Sequence, residues 1–397
     1  MENKTKSKMS NHQADIIVVG AGLVGLSAAI AFAQQGKSMV VIDTSNATHK
    51  RLNTWDTRIY ALTPATEDWL QSLGVLQQLD TARINNIHAM HIWNQAIDSP
   101  VILADEDAHL STLGIIVENQ NLMHALRAGL DALGVTVITD AVDKIIDDNN
   151  KDIKINLVNG TQVSATLLVA ADGAHSFVRQ QLNIATKIKP FNQTALVMNF
   201  KAEKNHANVA RQWFAPHNIL ALLPLPAQHV SMVWSVSTNY ATELLSLTSE
   251  GLAQRVSEQS RHLLGALKPI SEVASFALSQ ATATQLIAPR AVLLGDAAHQ
   301  IHPMAGQGVN LGFRDVIAFE AILKKAHGLQ DIGAYHFLRQ YERARKSDIA
   351  SMNNLTSGLD YLFASEHGAL NTATNWGMRQ LNKRSSVKSF LIKQAVT

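Results

Sequence analysis

One segment, Asp15 to Asp43, restricts the fold of this chain more than any other. It begins with four apolar, mostly β-branched residues, which are too few for a helix and predict a buried strand. A G-x-G-x-x-G sequence follows at residues 20–25, and then a run of small residues from Leu26 to Gln35 that predicts a helix. A second apolar strand, Met39 to Ile42, leads into Asp43. This order is typical of a βαβ unit that binds a dinucleotide.

Each position of this motif has a physical reason. Gly20 permits a tight turn, Gly22 lets a pyrophosphate approach the backbone, and Gly25 lets the helix pack closely on the strand. The free N–H groups at the helix N terminus favour an anion. Asp43 can accept a hydrogen bond from a ribose hydroxyl and disfavours a 2′-phosphate. The predicted nucleotide is therefore FAD or NAD rather than NADP.

The same segment allows one alternative. Ile16 to Ala33 is a stretch of 18 residues without a charge, which is the length of a short membrane span. Three glycines at the spacing of the dinucleotide motif, and an acid after the second strand, argue against a membrane helix. We therefore expect this segment to belong to a globular domain.

Length and composition indicate a globular protein with more than one domain. A chain of 397 residues predicts two domains with some additional helices. It has no cysteine, which excludes disulfides, thiolate metal sites and a redox dithiol. Its 16 histidines show no metal-ligand spacing, so we predict no metal and assign any redox chemistry to a bound cofactor. The net charge is +2, and we expect no nucleic-acid partner.

The second half of the chain changes pattern. From Phe191 to Leu278 apolar and polar residues alternate, which predicts an antiparallel meander sheet. One helix, Ser249 to Leu267, is expected to interrupt it. Ala291 to Leu294 returns to the buried strand type, and residues 331–397 are expected to be helical. A second domain built on an antiparallel sheet is therefore predicted.

A second motif, Gly295 to Gly312, follows the returning strand. Asp296 stands at the strand end, where an acid can bind sugar or ribityl hydroxyls. The turn after it contains Gly306, Gln307, Gly308 and Asn310. A turn of this kind before a helix leaves backbone N–H groups unpaired, and a helix N terminus stabilises the negative charge of a reduced flavin. The alternative is a glycine-rich connector without a ligand.

A third motif consists of Asp172-Gly173 with Ser176 and Arg179. The glycine permits a sharp turn, and the acid and the arginine can reach a pyrophosphate or a transient nicotinamide nucleotide. Asp172 is therefore included among the predicted cofactor contacts. Asp-Gly is also an ordinary turn dipeptide, so a plain turn remains the alternative.

These three motifs, in this order and at these separations, resemble the class A flavin-dependent aromatic hydroxylases of the p-hydroxybenzoate hydroxylase type. Gly295 to Asp315 is similar, more narrowly, to the signature of the ubiquinone-biosynthesis hydroxylases. Asp56 to Leu62 and Val117 to Leu122 also match that family. The resemblance covers about residues 14–345. Asp43 departs from it, because many FAD proteins have glutamate there, and either acid can bind ribose.

The resemblance implies an α/β fold with a Rossmann-like FAD-binding domain, an antiparallel-sheet substrate domain and C-terminal helices. It implies FAD as the cofactor, NADH or NADPH as a transient reductant, and O₂ as the co-substrate. The implied reaction is hydroxylation of the aromatic ring of a polyprenyl phenol in ubiquinone biosynthesis. The implied FAD-binding domain comprises residues 1–82, 110–190 and 279–345, the substrate domain residues 83–109 and 191–278, and the C-terminal helical region residues 346–397.

The resemblance also implies roles for single residues. The glycines at residues 20–25 bind the pyrophosphate, and Asp43 binds the adenosine ribose. Arg58 contacts the FAD ribose or phosphates, with Asn119 or its neighbour close by. Asp296 binds the ribityl chain, and Gly306 to Asn310 face the isoalloxazine ring. No acid–base residue is named, because histidines such as His299 and His302 are more often structural in such a loop.

The substrate side leaves alternatives open. A polyprenyl chain needs an apolar tunnel, and the large apolar residues of the meander sheet are candidates for its lining or for plain core. They are Trp213, Phe214, Leu220, Leu222 and Trp234. Two other functions are a hydroxylase of a small soluble aromatic and a catalytically idle flavoprotein that scaffolds a biosynthetic complex. The length of the tunnel and substrate-stimulated oxidation of NAD(P)H would distinguish them.

The two chain ends predict the location. Residues 1–11 are polar, without the apolar core of a signal peptide, so a cytoplasmic location is expected. The last acid is Glu366, and the final 31 residues carry a charge of +5. An apolar stripe near the end consists of Val387, Phe390, Leu391 and Ala395 and is flanked by Lys388 and Lys393. We predict reversible contact with the inner face of the membrane or a biosynthetic complex; packing on the enzyme itself or a second subunit is the alternative.

Overall fold

The chain forms three β-sheets with helices packed on them in this computed structural model. The structure describes residues 11–45, 54–94, 99–147, 152–301, 307–326, 330–364, 377–378, 380–382 and 384–396. Within these ranges the strands are β1 (Asn11–Val19), β2 (Met39–Asp43), β3 (Ile59–Leu62), β4 (Ile84–Ile87), β5 (Ala89–Asn94), β6 (Val101–Ala104), β7 (Gly114–Glu118), β8 (Thr136–Thr139), β9 (Val142–Asp147), β10 (Ile153–Leu157), β11 (Gln162–Ala170), β12 (Thr186–Ala202), β13 (Val209–Ala215), β14 (Asn218–Leu225), β15 (His229–Ser237), β16 (Leu267–Pro269), β17 (Ala274–Ala283), β18 (Ile287–Ala288), β19 (Ala291–Leu293) and β20 (His299–Gln300). The helices are α1 (Leu23–Gln34), α2 (Pro64–Ser72), α3 (Asp105–Ala108), α4 (Asn119–Ala132), α5 (Phe177–Gln181), α6 (Thr238–Leu245), α7 (Ser249–Gln259), α8 (Gln307–Lys324), α9 (Tyr335–Ala364) and α10 (Ser385–Val396).

The first sheet contains the βαβ unit that the sequence predicts. Its strands run in the order β18-β19-β11-β1-β2-β8, and β1 pairs in parallel with both β2 and β11. Ile16, Ile17 and Val18 are fully buried, as expected for a central parallel strand. The interpretation of Ile16 to Ala33 as a membrane span is wrong, because β1, the glycine turn and α1 divide this stretch. Within the described residues, no helix is both long and apolar enough to cross a bilayer.

The second sheet is the predicted meander. Its order is β20-β17-β12-β15-β14-β13-β5-β6, and its strands pair antiparallel except for β13 with β5. Side chains alternate between its two faces. One face packs against α6 and α7 around a core that includes Met198, Phe200 and Met232. The opposite face is therefore available to line a cavity.

The helix predicted from Ser249 to Leu267 ends earlier than expected. Helix α7 stops at Gln259, and Arg261 and His262 then have positive φ angles, which a helix does not accommodate. Leu267 begins the short strand β16, which pairs with the end of β12. Tertiary pairing at the sheet edge overrides the helical periodicity here.

A small third sheet, β3-β7-β4, connects the two larger sheets. One apolar cluster joins it to the second sheet; its buried members are Ile87, Ile116, Ala210 and Leu225. Strands β5 and β6, which lie far from β13 in sequence, complete the second sheet. The domain boundaries derived from the sequence stay a prediction.

Helix α10 rests on the segment around α3. The Lys388 ammonium forms an ion pair with Asp107 at 2.7 Å, and Ile392 is buried. Asn382, just before α10, accepts a hydrogen bond from the Ile102 N–H at 3.0 Å. The opposite side of α10 is exposed, with exposed fractions of 62% for Phe390 and 41% for Leu391.

The close approach of α1 to β1 generates a stability prediction. A side chain at Gly25 would overlap the Gly20 carbonyl oxygen, so Gly25→Ala should lower the melting temperature through overpacking that costs about 1–3 kcal/mol. Gly251→Ala is the matched control, because its added methyl group meets only ordinary contacts with Leu247 and Thr248, just before α7, and alanine favours a helix by about 0.5–1 kcal/mol. Equal melting temperatures for the two variants would contradict this account of the turn.

Candidate active site

The glycine turn after β1 opens the N terminus of α1 toward a cavity. Gly20 has a φ of +103°, and a side chain there would overlap the carbonyl of Ala171. Gly22 immediately precedes α1, lines the cavity and has open space where a side chain would be. No side chain caps α1, so the first N–H groups of the helix lack a side-chain acceptor. This geometry favours an anion.

Asp43 stands at the cavity edge at the end of β2. Its Oδ2 accepts the Ala21 N–H at 2.5 Å, and its Oδ1 accepts the N–H and the hydroxyl of Ser45, both at 2.8 Å. These bonds hold the carboxylate against the glycine turn. A carboxylate has about four lone-pair sites, so Asp43 can accept a further bond from a ligand hydroxyl.

Arg58 lines the same cavity from the loop before β3. Asp56 accepts the Arg58 N–H at 2.9 Å and the Gln120 N–H of α4 at 3.2 Å. Glu118, which is 1% exposed, accepts the Asp56 N–H at 2.6 Å and two bonds from the Arg83 guanidinium at 2.5 and 2.7 Å. The buried Glu118 thus ties the loop that carries Arg58 to the start of α4.

Helix α4 contributes a row of residues to the cavity. Asn119, Met123 and Arg127 are four residues apart and share one helix face. The Tyr60 hydroxyl donates to Asn119 Oδ1 at 3.4 Å, and the Arg58 guanidinium lies 5.8 Å from the centre of the Tyr60 ring. Burial raises the pKa of Tyr60 although the charge of Arg58 lowers it, so this phenol is neutral at physiological pH.

Asp296 faces the cavity from the 3₁₀ turn Gly295–Ala297 after β19. Its side chain is accessible through the cavity, and no described residue hydrogen-bonds it. The protein around the cavity still desolvates the carboxylate. This burial raises the pKa of Asp296, although the charges of His299 and Arg58 lower it. A cavity-facing carboxylate without a protein partner is suited to a ligand hydroxyl.

The turn that carries Asp296 is held from two sides. Asp315 on α8 is fully buried and accepts the Gly295 N–H at 2.8 Å. Arg179 on α5 is 8% exposed and donates to the Ala297 carbonyl at 2.9 Å. The structure thus places Arg179 behind the turn, rather than at the pyrophosphate or nicotinamide nucleotide that the sequence suggested.

Asp172, another predicted contact, forms bonds within its own loop. It accepts the Ser176 hydroxyl at 2.5 Å and the Val178 N–H at 3.0 Å, which caps the start of α5. Its neighbour Gly173 lines the cavity, whereas Asp172 does not. The hydrogen bonds of Asp172 are therefore those of an ordinary turn, which was the alternative to a cofactor contact.

The start of α8 brings part of the second motif to the cavity. Gly308 lines it, and among the described residues no atom beyond its own stretch of helix would lie within 4 Å of a side chain at this position. Asn310 is turned away and donates to the Ala61 carbonyl at 2.8 Å, which joins α8 to β3. Gly306 and the side chain of Gln307 lie outside the described part of the chain.

The far wall of the cavity is the second sheet, and the cavity volume is about 710 Å³. Strand alternation decides which residues of the sheet face it. Of the large apolar residues proposed for a substrate tunnel, Phe214 lines the cavity. The other four, Trp213, Leu220, Leu222 and Trp234, belong to the core on the opposite face. The wall consists mainly of smaller apolar residues, including Val197, Ile219, Ala221, Leu223 and Val233.

The comparison with known sequences decides the family. Residues 13–354 match the family described as FAD binding domain. Ubiquinone hydroxylase UbiL of Rhodospirillum rubrum is 30% identical over 388 residues, which cover 96% of this chain and 89% of that protein. The 3-demethoxyubiquinol 3-hydroxylase of Escherichia coli is 31% identical over 359 residues, which cover 90% of each. The chain belongs to this family of FAD-dependent monooxygenases.

A solved structure supports the same fold. The p-nitrophenol 4-monooxygenase PnpA of Pseudomonas putida superposes with a TM-score of 0.79 at 17% identity, over 98% of this chain and 99% of that one. The predicted fold class and family are confirmed. The monooxygenase uses FAD, with NADH or NADPH and O₂ as the co-substrates of its class.

Of the two histidines that the sequence placed near the flavin loop, His299 is within the described part of the monooxygenase. His299 is 3% exposed and hydrogen-bonds Asp315 at 2.7 Å. His302 lies outside the described residues. In the part of the chain that is described, no cluster of three or more His, Asp or Glu could hold a metal.

Sequence reasoning missed several polar residues that line the cavity of the monooxygenase, among them Tyr60, Arg127 and Gln212. The sequence could have indicated Arg127 as a lining residue, because it is eight residues beyond Asn119 and therefore on the same helix face. It could also have indicated Gln212, because residues two apart on a strand share one face and Gln212 is two residues from Phe214.

The unpartnered carboxylate of Asp296 leads to a binding prediction. Asp296→Ala should weaken FAD binding about 10- to 150-fold, because a hydrogen bond to a charged group contributes about 1.5–3 kcal/mol. Fluorescence titration of the flavin-free protein would measure the dissociation constant. Asp140→Ala is the control, because the Asp140 carboxylate bonds the Ala141 and Asn159 N–H groups and does not line the cavity. An unchanged FAD affinity in Asp296→Ala would show that this carboxylate does not contact FAD.

Proposed function

We propose that this monooxygenase hydroxylates the aromatic ring of a polyprenyl phenol in ubiquinone biosynthesis. The observation that carries the proposal is one continuous cavity, which runs from a polar end beside Asp43 and Arg58 to an apolar wall on the second sheet. The polar end suits a dinucleotide, and the apolar wall suits a prenylated ring. The relatives named as ubiquinone hydroxylases match nearly the whole chain and support this class of substrate.

The adenosine end of FAD would bind at the first βαβ unit. Gly22 and the N terminus of α1 fit the pyrophosphate, since they combine open space with unpaired N–H groups. Asp43 fits the ribose hydroxyls, and Arg58 with Asn119 fits the neighbouring ribose or phosphate oxygens. Gly20 and Gly25 would act indirectly, because they form the turn.

The flavin end would bind between Asp296 and the start of α8. The Asp296 carboxylate fits a ribityl hydroxyl, and the open backbone at Gly308 fits the flat ring. Gly306 and Gln307 are proposed to face the ring as well, whereas Asp172 and Asn310 would support the surrounding loops. FAD, reduced by NADH or NADPH, supplies the O₂ chemistry. The apolar wall would orient the substrate and exclude water.

A kinetic experiment separates this function from the two alternatives. The FAD-loaded enzyme should oxidise NADH or NADPH at least about tenfold faster with 2-farnesylphenol than without it, and should form a hydroxylated product. Equal stimulation by 4-hydroxybenzoate, which has no prenyl chain, would indicate a hydroxylase of small soluble aromatics. Absence of stimulation by either phenol would favour the idle scaffold.

The exposed side of α10 is proposed to contact a membrane surface, which would bring the enzyme to a lipid substrate. Val387, Phe390 and Leu391 lie on this side, and Arg384 and Lys393 are exposed nearby. Each basic residue near an anionic surface adds about 1 kcal/mol. Lys388 contributes less, because it already pairs with Asp107. We therefore propose a cytoplasmic enzyme with a peripheral membrane contact.

Two variants of α10 test this contact. Phe390→Ser with Leu391→Ser should abolish salt-sensitive binding to vesicles of phosphatidylglycerol and phosphatidylcholine, while FAD content and melting temperature stay unchanged. Ile392→Ser is the control for the buried side and should lower the melting temperature, because Ile392 is 2% exposed. If the double variant binds vesicles as the wild type does, or if it loses stability instead, the membrane contact should be rejected.

A further inference from the structure

The cavity wall on the second sheet carries a buried amide at Gln212. On β13, Ala210, Gln212 and Phe214 are every second residue and so share one face of the strand. All three line the cavity. Gln212 lies opposite Ala221 on β14, and Ala221 lies opposite Val233 on β15. The neighbours of the amide on this face of the sheet are therefore apolar.

The amide of Gln212 has no protein partner within the described residues. Its exposed fraction is 4%, and what is exposed faces the cavity. Buried amides are as a rule hydrogen-bonded, because burial removes their bonds to water. An amide that is buried in a cavity wall and unpaired by any described residue indicates that a ligand supplies its partner.

Among the described residues, the charged and titratable residues of the cavity all come from elements outside the second sheet. They are Asp43, Arg58, Tyr60, Arg127 and Asp296. In contrast, the described residues that line the cavity from the second sheet are all neutral. Their polar members besides Gln212 are Ser235, Ser279 and Gln300, and Ser279 donates to Gln300 Oε1 at 3.4 Å. A ring that reaches this wall thus meets neutral hydrogen-bonding groups.

A chain of contacts connects the strand of Gln212 with the start of α8. Ala210, two residues before Gln212, packs in one apolar cluster with Ala61 of β3. The Ala61 carbonyl accepts a hydrogen bond from Asn310 at 2.8 Å. Gly308, two residues before Asn310, lines the cavity. A ring held by Gln212 would therefore lie on the side of the wall that adjoins the proposed flavin site.

We propose that Gln212 is a substrate-binding residue that hydrogen-bonds an oxygen substituent of the aromatic ring. The inference rests on the proposed function and identifies the group that orients the ring. The amide carbonyl accepts the phenol O–H, and the amide N–H donates to the phenol oxygen or to an adjacent ring oxygen. A neutral partner suits an uncharged lipid phenol, since a charge in this apolar wall would be desolvated without compensation.

The test compares two probes that differ in the ring hydroxyl alone, 2-farnesylphenol and farnesylbenzene. Titration of the FAD-loaded enzyme, followed by the flavin absorbance, gives a dissociation constant for each. The wild type should bind the phenol about tenfold more tightly than the hydrocarbon. Gln212→Met keeps the side-chain length and removes the amide, so its preference should fall below about twofold with FAD content unchanged. Ser235→Ala removes another polar group of this face for which no described residue supplies a hydrogen bond, and it should keep the preference.

Each outcome decides a separate point. If Gln212→Met keeps the wild-type preference, or if Ser235→Ala abolishes it, the assignment to Gln212 is overturned while the proposed function stands. The tail-less pair 2-methylphenol and toluene serves as the second arm. Another outcome is a wild type that discriminates only within this second pair, with Gln212→Met losing that discrimination. In that case the proposal of a polyprenyl substrate is wrong, and Gln212 is still the residue that binds the ring oxygen. A wild type without preference in either pair overturns the assignment to Gln212.

Discussion

A fully buried carboxylate, Asp315, holds together the part of the molecule on which the cofactor site depends. It accepts hydrogen bonds from the Gly295 N–H and from His299, and from Arg345 of α9 at 2.6 Å. Burial alone would raise the pKa of Asp315, but the charge and hydrogen bond of His299 and the charge of Arg345 lower it. Removing one partner of such a buried pair costs about 3–5 kcal/mol, whereas an exposed pair contributes about 1 kcal/mol or less. Asp315 therefore fixes the turn that presents Asp296.

Local patterns in the sequence predicted the parts of the protein whose geometry is local. The glycine turn, Asp43 and the acid at Asp296 follow directly from strands that end at one sheet edge, and the structure places all three elements around one cavity. Arg179 could not be placed in this way, because its partner, the Ala297 carbonyl, is 118 residues away. The end of α7 depended on pairing between β16 and β12, which is also long-range.

In the second sheet, a difference of one residue along a strand decides whether a side chain lines the cavity or packs in the core. Trp213 is the more conspicuous residue for an apolar tunnel, yet it packs in the core, while its neighbours Gln212 and Phe214 line the cavity. The resulting wall is neutral and largely apolar, and the charged groups of the cavity that the structure describes come from elements outside this sheet. This separation would let one cavity hold a polar dinucleotide and the proposed lipid phenol, because neither ligand would desolvate the partners of the other.

Isotope labelling tests the central claim most directly, since it follows the oxygen atom itself. The FAD-loaded enzyme would react with 2-farnesylphenol and NADH or NADPH under ¹⁸O₂, and mass spectrometry would analyse the product. The account predicts a hydroxylated ring that carries one ¹⁸O atom, with no label when ¹⁸O is supplied as water. A hydroxyl derived from water, or NAD(P)H consumption that yields hydrogen peroxide without ring hydroxylation, would contradict it.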